Sequence, residues 1–288
     1  MLNLIVAPKK IDAKAENYAK RIVKYLKAEK IEYSVYFSSS LDDVTANINE
    51  LTAFGETEFV VVGGDIVLNQ FINSLKDLNK IRLGIVPTHN RDDFSRYLEL
   101  KTSPILAIKD ILKKKVQEID FLIVNDQRVL NNVIIGASVE TYEQYSQFGW
   151  KSFITETIAK LKTQNKFAGN ELSINSKNSK TKTENVYELI VANGGFSKGK
   201  RVSPLSNVSD GLFNLIYTNS NDVKVAKKSL KGYKDGEHIY NENVKQLWLN
   251  NIKITNADNK IKALIDGRIF NFDKLEISVI ENGLKLYK

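Results

Sequence analysis

Cysteine is absent from this chain of 288 residues, which excludes a disulfide framework, a thiolate metal site and a thiol nucleophile. Nothing in the residue usage then points to an oxidising compartment. Histidine occurs only twice, at His89 and His238, too few for a histidine-rich metal centre. Long apolar runs are missing as well. The opening Met1-Leu2-Asn3-Leu4-Ile5-Val6-Ala7 meets Pro8-Lys9-Lys10 too soon for a signal-peptide core and far short of a membrane span, so it reads as a first strand. Heptads, low-complexity tracts and repeats at solenoid periods are also lacking.

What is present is a length beyond the usual single domain, with 42% apolar residues to build cores, so two domains are expected. The formal charge of +8 suits an anionic partner: nucleic acid, a membrane surface or a phosphorylated ligand. The lysines are scattered. The one dense run, Lys113-Lys114-Lys115, falls near the end of an apparent helix, where the helix dipole favours cations, and reads as a solvated helix end. Neither a stripe of alternating aromatic and basic residues nor a nucleic-acid motif accompanies the charge, so a nucleic-acid partner is not supported.

The first part of the chain alternates short apolar strands with amphipathic helices. Leu4-Ile5-Val6 is followed by Ala15, Tyr18, Ala19, Ile22, Val23 and Leu26 at helical spacing, with Asp12 as the expected N-cap. Ile31, Tyr33, Val35 and Phe37 alternate as a strand, and Ser40 with Asp43 begins a helix carrying Leu41, Val44, Ile48 and Leu51. Phe59-Val60-Val61-Val62 and Leu83-Gly84-Ile85-Val86 are continuous apolar runs, as strands buried on both faces require. This order predicts a mainly parallel sheet covered by helices, with ligands bound beyond the carboxyl ends of its strands. Gly63-Gly64-Asp65 and Pro87-Thr88-His89-Asn90 fall at that edge. After about residue 118 the texture becomes strands and turns, predicting a second, mostly β domain; Ser176 to Thr183 reads as a hairpin tip. One helix interrupts, with Ile154, Ile158 and Leu161 on a face after Trp150, which reads as a packing residue.

Gly63-Gly64-Asp65-Ile66-Val67, between a strand and a helix, resembles the Gly-Gly-Asp-Gly-Thr hallmark of the diacylglycerol kinase catalytic family. The resemblance is collinear along the chain. Pro87 to Arg96, with Asp93-Phe94-Ser95-Arg96, is similar to that family's Pro-x-Gly-Thr-x-Asn-Asp-Phe-Ala-Arg segment. Asp120, Asn125 and Leu130 to Gly136 fall at the crossing into the β domain. Farther on come Gly149, Asn193-Gly194-Gly195, Gly199, Pro204, Asp210-Gly211-Leu212 and Leu264-Ile265-Asp266-Gly267. The resemblance implies an α/β plus β fold of two domains: an NAD kinase-like α/β domain with a mainly parallel sheet, then a β-sandwich domain. It divides the chain into a nucleotide-binding domain over 1–118, to which about 276–288 returns, and a substrate-binding domain over 119–275.

The activity implied is transfer of the ATP γ-phosphoryl group to a lipid hydroxyl such as that of diacylglycerol, with Mg²⁺. Catalysis of that kind depends on alignment and on offsetting phosphate charge. By resemblance, Gly63, Gly64, Asp65, Thr88 and Asn90 bind the nucleotide; Asp65, Asp93 and Asp210 hold metal; Asp266 is the general base; Arg91 and Arg268 contact anions. A lipid acceptor implies a cytoplasmic protein peripheral to the inner membrane surface, compatible with positive charge, and a homodimer stays open. Asp210 reads equally as a metal-free Asp-Gly turn.

The departures from the family pattern fall on the phosphate side. Ile66 and Val67 replace Gly and Thr, His89 and Asn90 replace a second Gly-Thr pair, Ala7-Pro8-Lys9-Lys10 replaces an Asn-Pro turn, and Arg268 replaces Glu. Asp92 replaces Asn, and a carboxylate about 6 Å from a phosphate charge repels it by roughly 3 kcal/mol at an effective dielectric of 20. Such clustering points to reduced or lost use of ATP, or to a reshaped pocket. A non-catalytic lipid- or anion-binding pseudokinase is therefore the alternative, and an NAD kinase-like enzyme, which shares the Gly-Gly-Asp loop, is the second.

Overall fold

The computed structural model describes residues 1–90, 92–148, 153–176, 179–219, 222–258 and 260–288, without the side chains of 153, 164–165 and 179–181. Arg91, Gly149, Trp150 and the 177–178 turn of the expected hairpin tip lie outside the described residues. The chain divides into two compact units, one formed by Met1–Phe121 with Ile280–Lys288 and the other by Leu122–Val279.

The first unit is built from β1 (Leu2–Val6), α1 (Ala15–Ala28), β2 (Tyr33–Phe37), α2 (Leu41–Ala53), β3 (Glu58–Val62), α3 (Asp65–Ser74), β4 (Arg82–Val86), α4 (Asp93–Tyr97) and α5 (Pro104–Leu112). Its sheet runs β2-β1-β3-β4, all parallel, and the final chain segment adds a further parallel strand through Lys285 and Leu286 beside Arg82 and Leu83 of β4. The central strands are fully enclosed, which explains their unbroken apolar runs. α1 buries Ala15, Ala19, Ile22 and Leu26 at helical spacing, and α2 is capped by Ser40 Oγ, which accepts the Asp43 N–H at 3.1 Å. Asp12, by contrast, does not cap α1. The helix begins at Ala15, and Asp12 turns inward, one of its oxygens accepting the Lys14 N–H at 3.0 Å.

The basic run after α5 is more than a solvated end. Lys114 has a positive φ of 55°; its ammonium group lies 2.6 Å from Glu58 Oε2 and 4.7 Å from the Tyr287 ring centroid. The Tyr287 hydroxyl donates to Glu58 Oε1 at 2.6 Å, so this cluster ties the returning segment to β3.

The chain continues with β5 (Val116–Val124), β6 (Gln127–Val129), β7 (Asn132–Gly136), α6 (Ala137–Ser146), α7 (Phe153–Lys166), β8 (Asn170–Ser176), β9 (Ser179–Ala192), β10 (Phe213–Asn219), α8 (Val223–Ser229), β11 (Val244–Leu249), β12 (Asn251–Asn256), β13 (Ile261–Ile265), β14 (Arg268–Phe272) and β15 (Lys274–Tyr287), of which β5 begins in the first unit and β15 ends in it, the rest forming the second unit. Strands β14-β13-β7-β9-β8-β12-β15 are neighbours in that order, and β10 joins β9 to β11. Residues from β13 and from β12 and β15 meet in one apolar core, so the strands form a β-sandwich. A second apolar layer, with Ile134, Ile190, Ile216 and Tyr233, lies on the opposite strand face.

Helix α7 is inverted relative to the expected amphipathic pattern. Its small residues Thr155, Ala159 and Thr163 are buried, while Ile154, Ile158 and Leu161 are exposed. Among the described residues no helix is long and apolar enough to cross a membrane.

Candidate active site

The carboxyl ends of β1, β3 and β4 gather three loops in the first unit. β3 runs into Gly63-Gly64 and then α3, and the geometry there is tight: a β-carbon on Gly63 would meet Ala7 Cβ at 2.8 Å. Val67 is fully buried and its backbone N–H bonds to Gly64 O at 3.1 Å. The position at which the family pattern has threonine is thus a core position here, whereas Ile66 is half-buried.

The loop after β4 is organised by carboxylates. Thr88, also buried, donates its hydroxyl to Asp12 Oδ2, and His89 Nδ1 lies 3.1 Å from the same hydroxyl and 3.8 Å from Asp12 Oδ2. Asp92 Oδ2 accepts the backbone N–H groups of Thr88 at 3.2 Å and His89 at 3.0 Å. A β-carbon on Gly64 would stand 2.7 Å from Asp92 Oδ1, so only glycine leaves that side chain its place. Burial pushes the Asp92 carboxyl above its ordinary range, against the lowering effect of the His89 N–H and charge and the Thr88 N–H. Asp65, the first residue of α3, accepts the N–H of Asp93 at 2.6 Å and of Phe94 at 3.4 Å, holding the start of α4. A cavity of about 330 Å³ is lined by Pro87, His89, Asn90, Asp92, Arg96 and Lys101 among others.

In the second unit Asp266 is buried with a positive φ of 41°, a conformation that aspartate tolerates better than most residues. Its oxygens accept three backbone N–H groups, from Leu130 at 2.9 Å, Asn131 at 3.0 Å and Asn132 at 3.1 Å. Around this knot the Asn131 and Asn132 amides both donate to Phe196 O at 2.7 Å, and Asn193 Nδ2 donates to Leu130 O at 2.7 Å. The Asn and Gly signatures of the sequence thus converge on one clamp that fixes the 130–132 and 193–196 turns.

The expected site residues divide accordingly. Gly63, Gly64, Asp65, Thr88, Asn90 and Asp93 share the carboxyl edge of the first unit; Asn90 is exposed and the Thr88 hydroxyl is turned inward to Asp12. Arg268 is exposed, its guanidinium 5.6 Å from the Phe270 ring centroid. Asp210 is exposed and accepts the Leu212 N–H at 3.0 Å in a tight turn. Asp12 is the residue that sequence reasoning misplaced, because its partner Thr88 is distant in the chain.

The groups that the family resemblance implies fit this arrangement unevenly. Among the described residues no set of three or more His, Cys, Asp or Glu side chains could hold a metal ion, and Asp65 spends its oxygens on α4, so a resident magnesium site is not built by these side chains alone. The Thr88 and His89 amides, suited to a phosphate, are held by Asp92.

Residues 1–124 match the diacylglycerol kinase catalytic domain, and residues 133–286 match the YegS C-terminal NAD kinase beta sandwich-like domain. The chain belongs to the diacylglycerol kinase-type lipid kinase family. A Staphylococcus carnosus (strain TM300) protein named as a lipid kinase is 27% identical to this family member over 256 residues, 85% of this chain and 80% of its own. A Staphylococcus aureus (strain MSSA476) protein of similar name is 28% identical over 238 residues, covering 78% of this chain and 75% of its own. A crystal structure from Bacillus anthracis (strain Sterne), of a protein named as a diacylglycerol kinase, superposes with a TM-score of 0.79 at 22% identity, covering 99% of this chain and 96% of that one. An Archaeoglobus fulgidus NAD kinase crystallised with ATP superposes with a TM-score of 0.54 at 13% identity, covering 100% of this chain and 94% of that one. Both superpositions speak to the fold, which is the two-domain, NAD kinase-like arrangement of a mainly parallel α/β domain and a β-sandwich domain.

Proposed function

We propose that this family member is a lipid kinase that binds ATP at the carboxyl edge of the first unit and transfers its γ-phosphoryl group to the hydroxyl of a diacylglycerol-like lipid. The observation that carries the reading is the Gly63-Gly64 turn running into α3, with Asp65 fixing the start of α4 beside it. The first unit is nucleotide-binding in this reading and the second binds the lipid. Magnesium, bound together with the nucleotide phosphates, would offset their charge there. By family resemblance Asp93 would contribute a carboxylate to that ion, and Arg91 and Arg268 would contact anions.

Asp266 would serve as general base for the acceptor hydroxyl by releasing one of its three N–H donors, while the other two keep the 130–132 turn in place. The exposed Ile154, Ile158 and Leu161 of α7, flanked by Lys160 and Lys162, give the second unit an apolar, basic-edged face suited to an anionic membrane surface.

A calorimetric titration of ATP with and without magnesium tests the reading directly. Micromolar, magnesium-dependent binding, about −8 kcal/mol, is expected, followed by transfer of labelled phosphate to diacylglycerol in mixed micelles. Absence of binding at millimolar ATP would leave the second reading, a non-catalytic lipid- or anion-binding relative, which the engagement of the Thr88 and His89 amides by Asp92 favours.

A further inference from the structure

Two successive amides and a glycine with no side chain are the parts from which backbone anion sites are built. All three face the same side chain in the first unit. The N–H groups of Thr88 and His89 point at one oxygen of Asp92, 3.2 and 3.0 Å away, and the other oxygen fills the space above Gly64. The anion in this nest is covalently attached to the loop itself. A second carboxylate, the buried Asp12, is bonded to the Thr88 hydroxyl and near enough for its charge to act on Asp92.

The loop does not need the charge to hold its shape. Asparagine at 92 could accept the same two N–H bonds through Oδ1 while carrying no charge. What aspartate adds is therefore a field, directed at whatever approaches Gly64 and the two amides. A phosphate entering there must either displace the carboxylate from its donors or sit beside it, and both routes weaken binding. A nucleoside carries no such charge and is indifferent to it.

We infer that Asp92 is a specificity-determining residue, a tethered competitor that selects against polyphosphate at this site without affecting recognition of an uncharged nucleoside. The biological meaning rests on the nucleotide-binding reading above, but the competition is a property of the loop alone. Removing the charge should raise affinity for polyphosphate by about tenfold to a hundredfold, the range set by one like charge about 6 Å away at an effective dielectric near 20 and its partial screening.

The test uses the full chain as wild type, Asp92→Asn and Asp92→Ser, with thermal melting to establish folding. Each is titrated calorimetrically with magnesium–ATP, magnesium–tripolyphosphate and adenosine. The expected result is tighter ATP and tripolyphosphate binding in both variants, unchanged adenosine binding, and a gain that shrinks as salt is raised. Equal or weaker tripolyphosphate binding in the variants overturns the inference, and if all forms bind ATP alike the nucleotide reading survives it. A tripolyphosphate gain with no ATP or adenosine binding by any form upholds the competition and removes the nucleotide reading. Binding of nothing by any form overturns both. If Asn does not fold, Ser carries the comparison; loss of folding in both would make Asp92 a structural residue and end the inference.

Discussion

Asp92 in the first unit and Asp266 in the second use the same local device, a carboxylate gathering backbone N–H groups from a turn, and do different things with it. Asp266 is buried, accepts three amides and is ringed by neutral asparagine amides that lock the turns together. Asp92 is half-buried, accepts two, and feels the charge of another carboxylate, Asp12. Where the carboxylate is enclosed among backbone amides, it ties the turns together. Where it is reachable and a like charge is near, it acts on what approaches from outside.

The comparison breaks most visibly at Asp266. Alanine there would strand three buried donors, and a loss of stability of about 4 kcal/mol is expected by denaturant melting. Asp266→Asn tolerates the positive φ and keeps an oxygen for two of the three N–H groups, but sets an NH2 donor against the third, so it should recover only part of that loss. If the alanine variant melts like the wild type, Asp266 is not a knot.

Glu188 extends the series to a carboxylate with one backbone partner. It is buried on β9, accepts the Ser138 N–H at 2.9 Å through Oε2, and among the described residues leaves Oε1 without a hydrogen bond, opposite the equally unpaired hydroxyl of Thr218 across the β9–β10 pair. Burial is the main cause that pushes its carboxyl up from 4.5 to about 7. A raised folded-state pKa means that the stability contribution is present below pH 4.5 and lost as pH rises through 7. Glu188→Gln, neutral throughout and able to donate to Thr218, should therefore gain on the wild type by about 3 kcal/mol between pH 4.5 and 8. His238 acts in the opposite sense: burial lowers it to about 4, so its contribution is lost as pH falls from 6.5. That effect is common to both proteins and cancels in the difference. A difference that does not change with pH would show that Glu188 is not protonated in the folded protein.

The smallest effect belongs to Asp65, whose oxygens cap the short α4. Asp65→Ala should cost about 1 kcal/mol in melting experiments, with increased amide exchange confined to Asp93 and Phe94. Exchange unchanged at those two amides would separate Asp65 from the loop.

The first unit was legible because its strands are buried on both faces and its helices on one, so periodicity carried the information. Ser40 did cap α2 as its spacing with Asp43 suggests, since a cap is a contact between close neighbours. Asp12 failed as a cap for the opposite reason: the hydroxyl that draws it inward belongs to a residue 76 positions away. The inversion of α7 was equally invisible, because helical spacing shows that Ile154, Ile158 and Leu161 share a face but not whether protein covers it. At the candidate site the sequence supplied the acids and glycines. It could not show that Asp92 and Asp266 would spend their oxygens on backbone amides.

The return of the chain after Val279 also bears on biosynthesis. Among the described residues β4 gains its outer neighbour through Lys285 and Leu286, and Asp120 Oδ1 receives the Asn282 N–H at 2.8 Å. These residues leave the ribosome after the whole of the second unit. The unit that starts first is therefore completed last, and during translation β4 waits as an open sheet edge, the kind of surface on which nascent chains mispair.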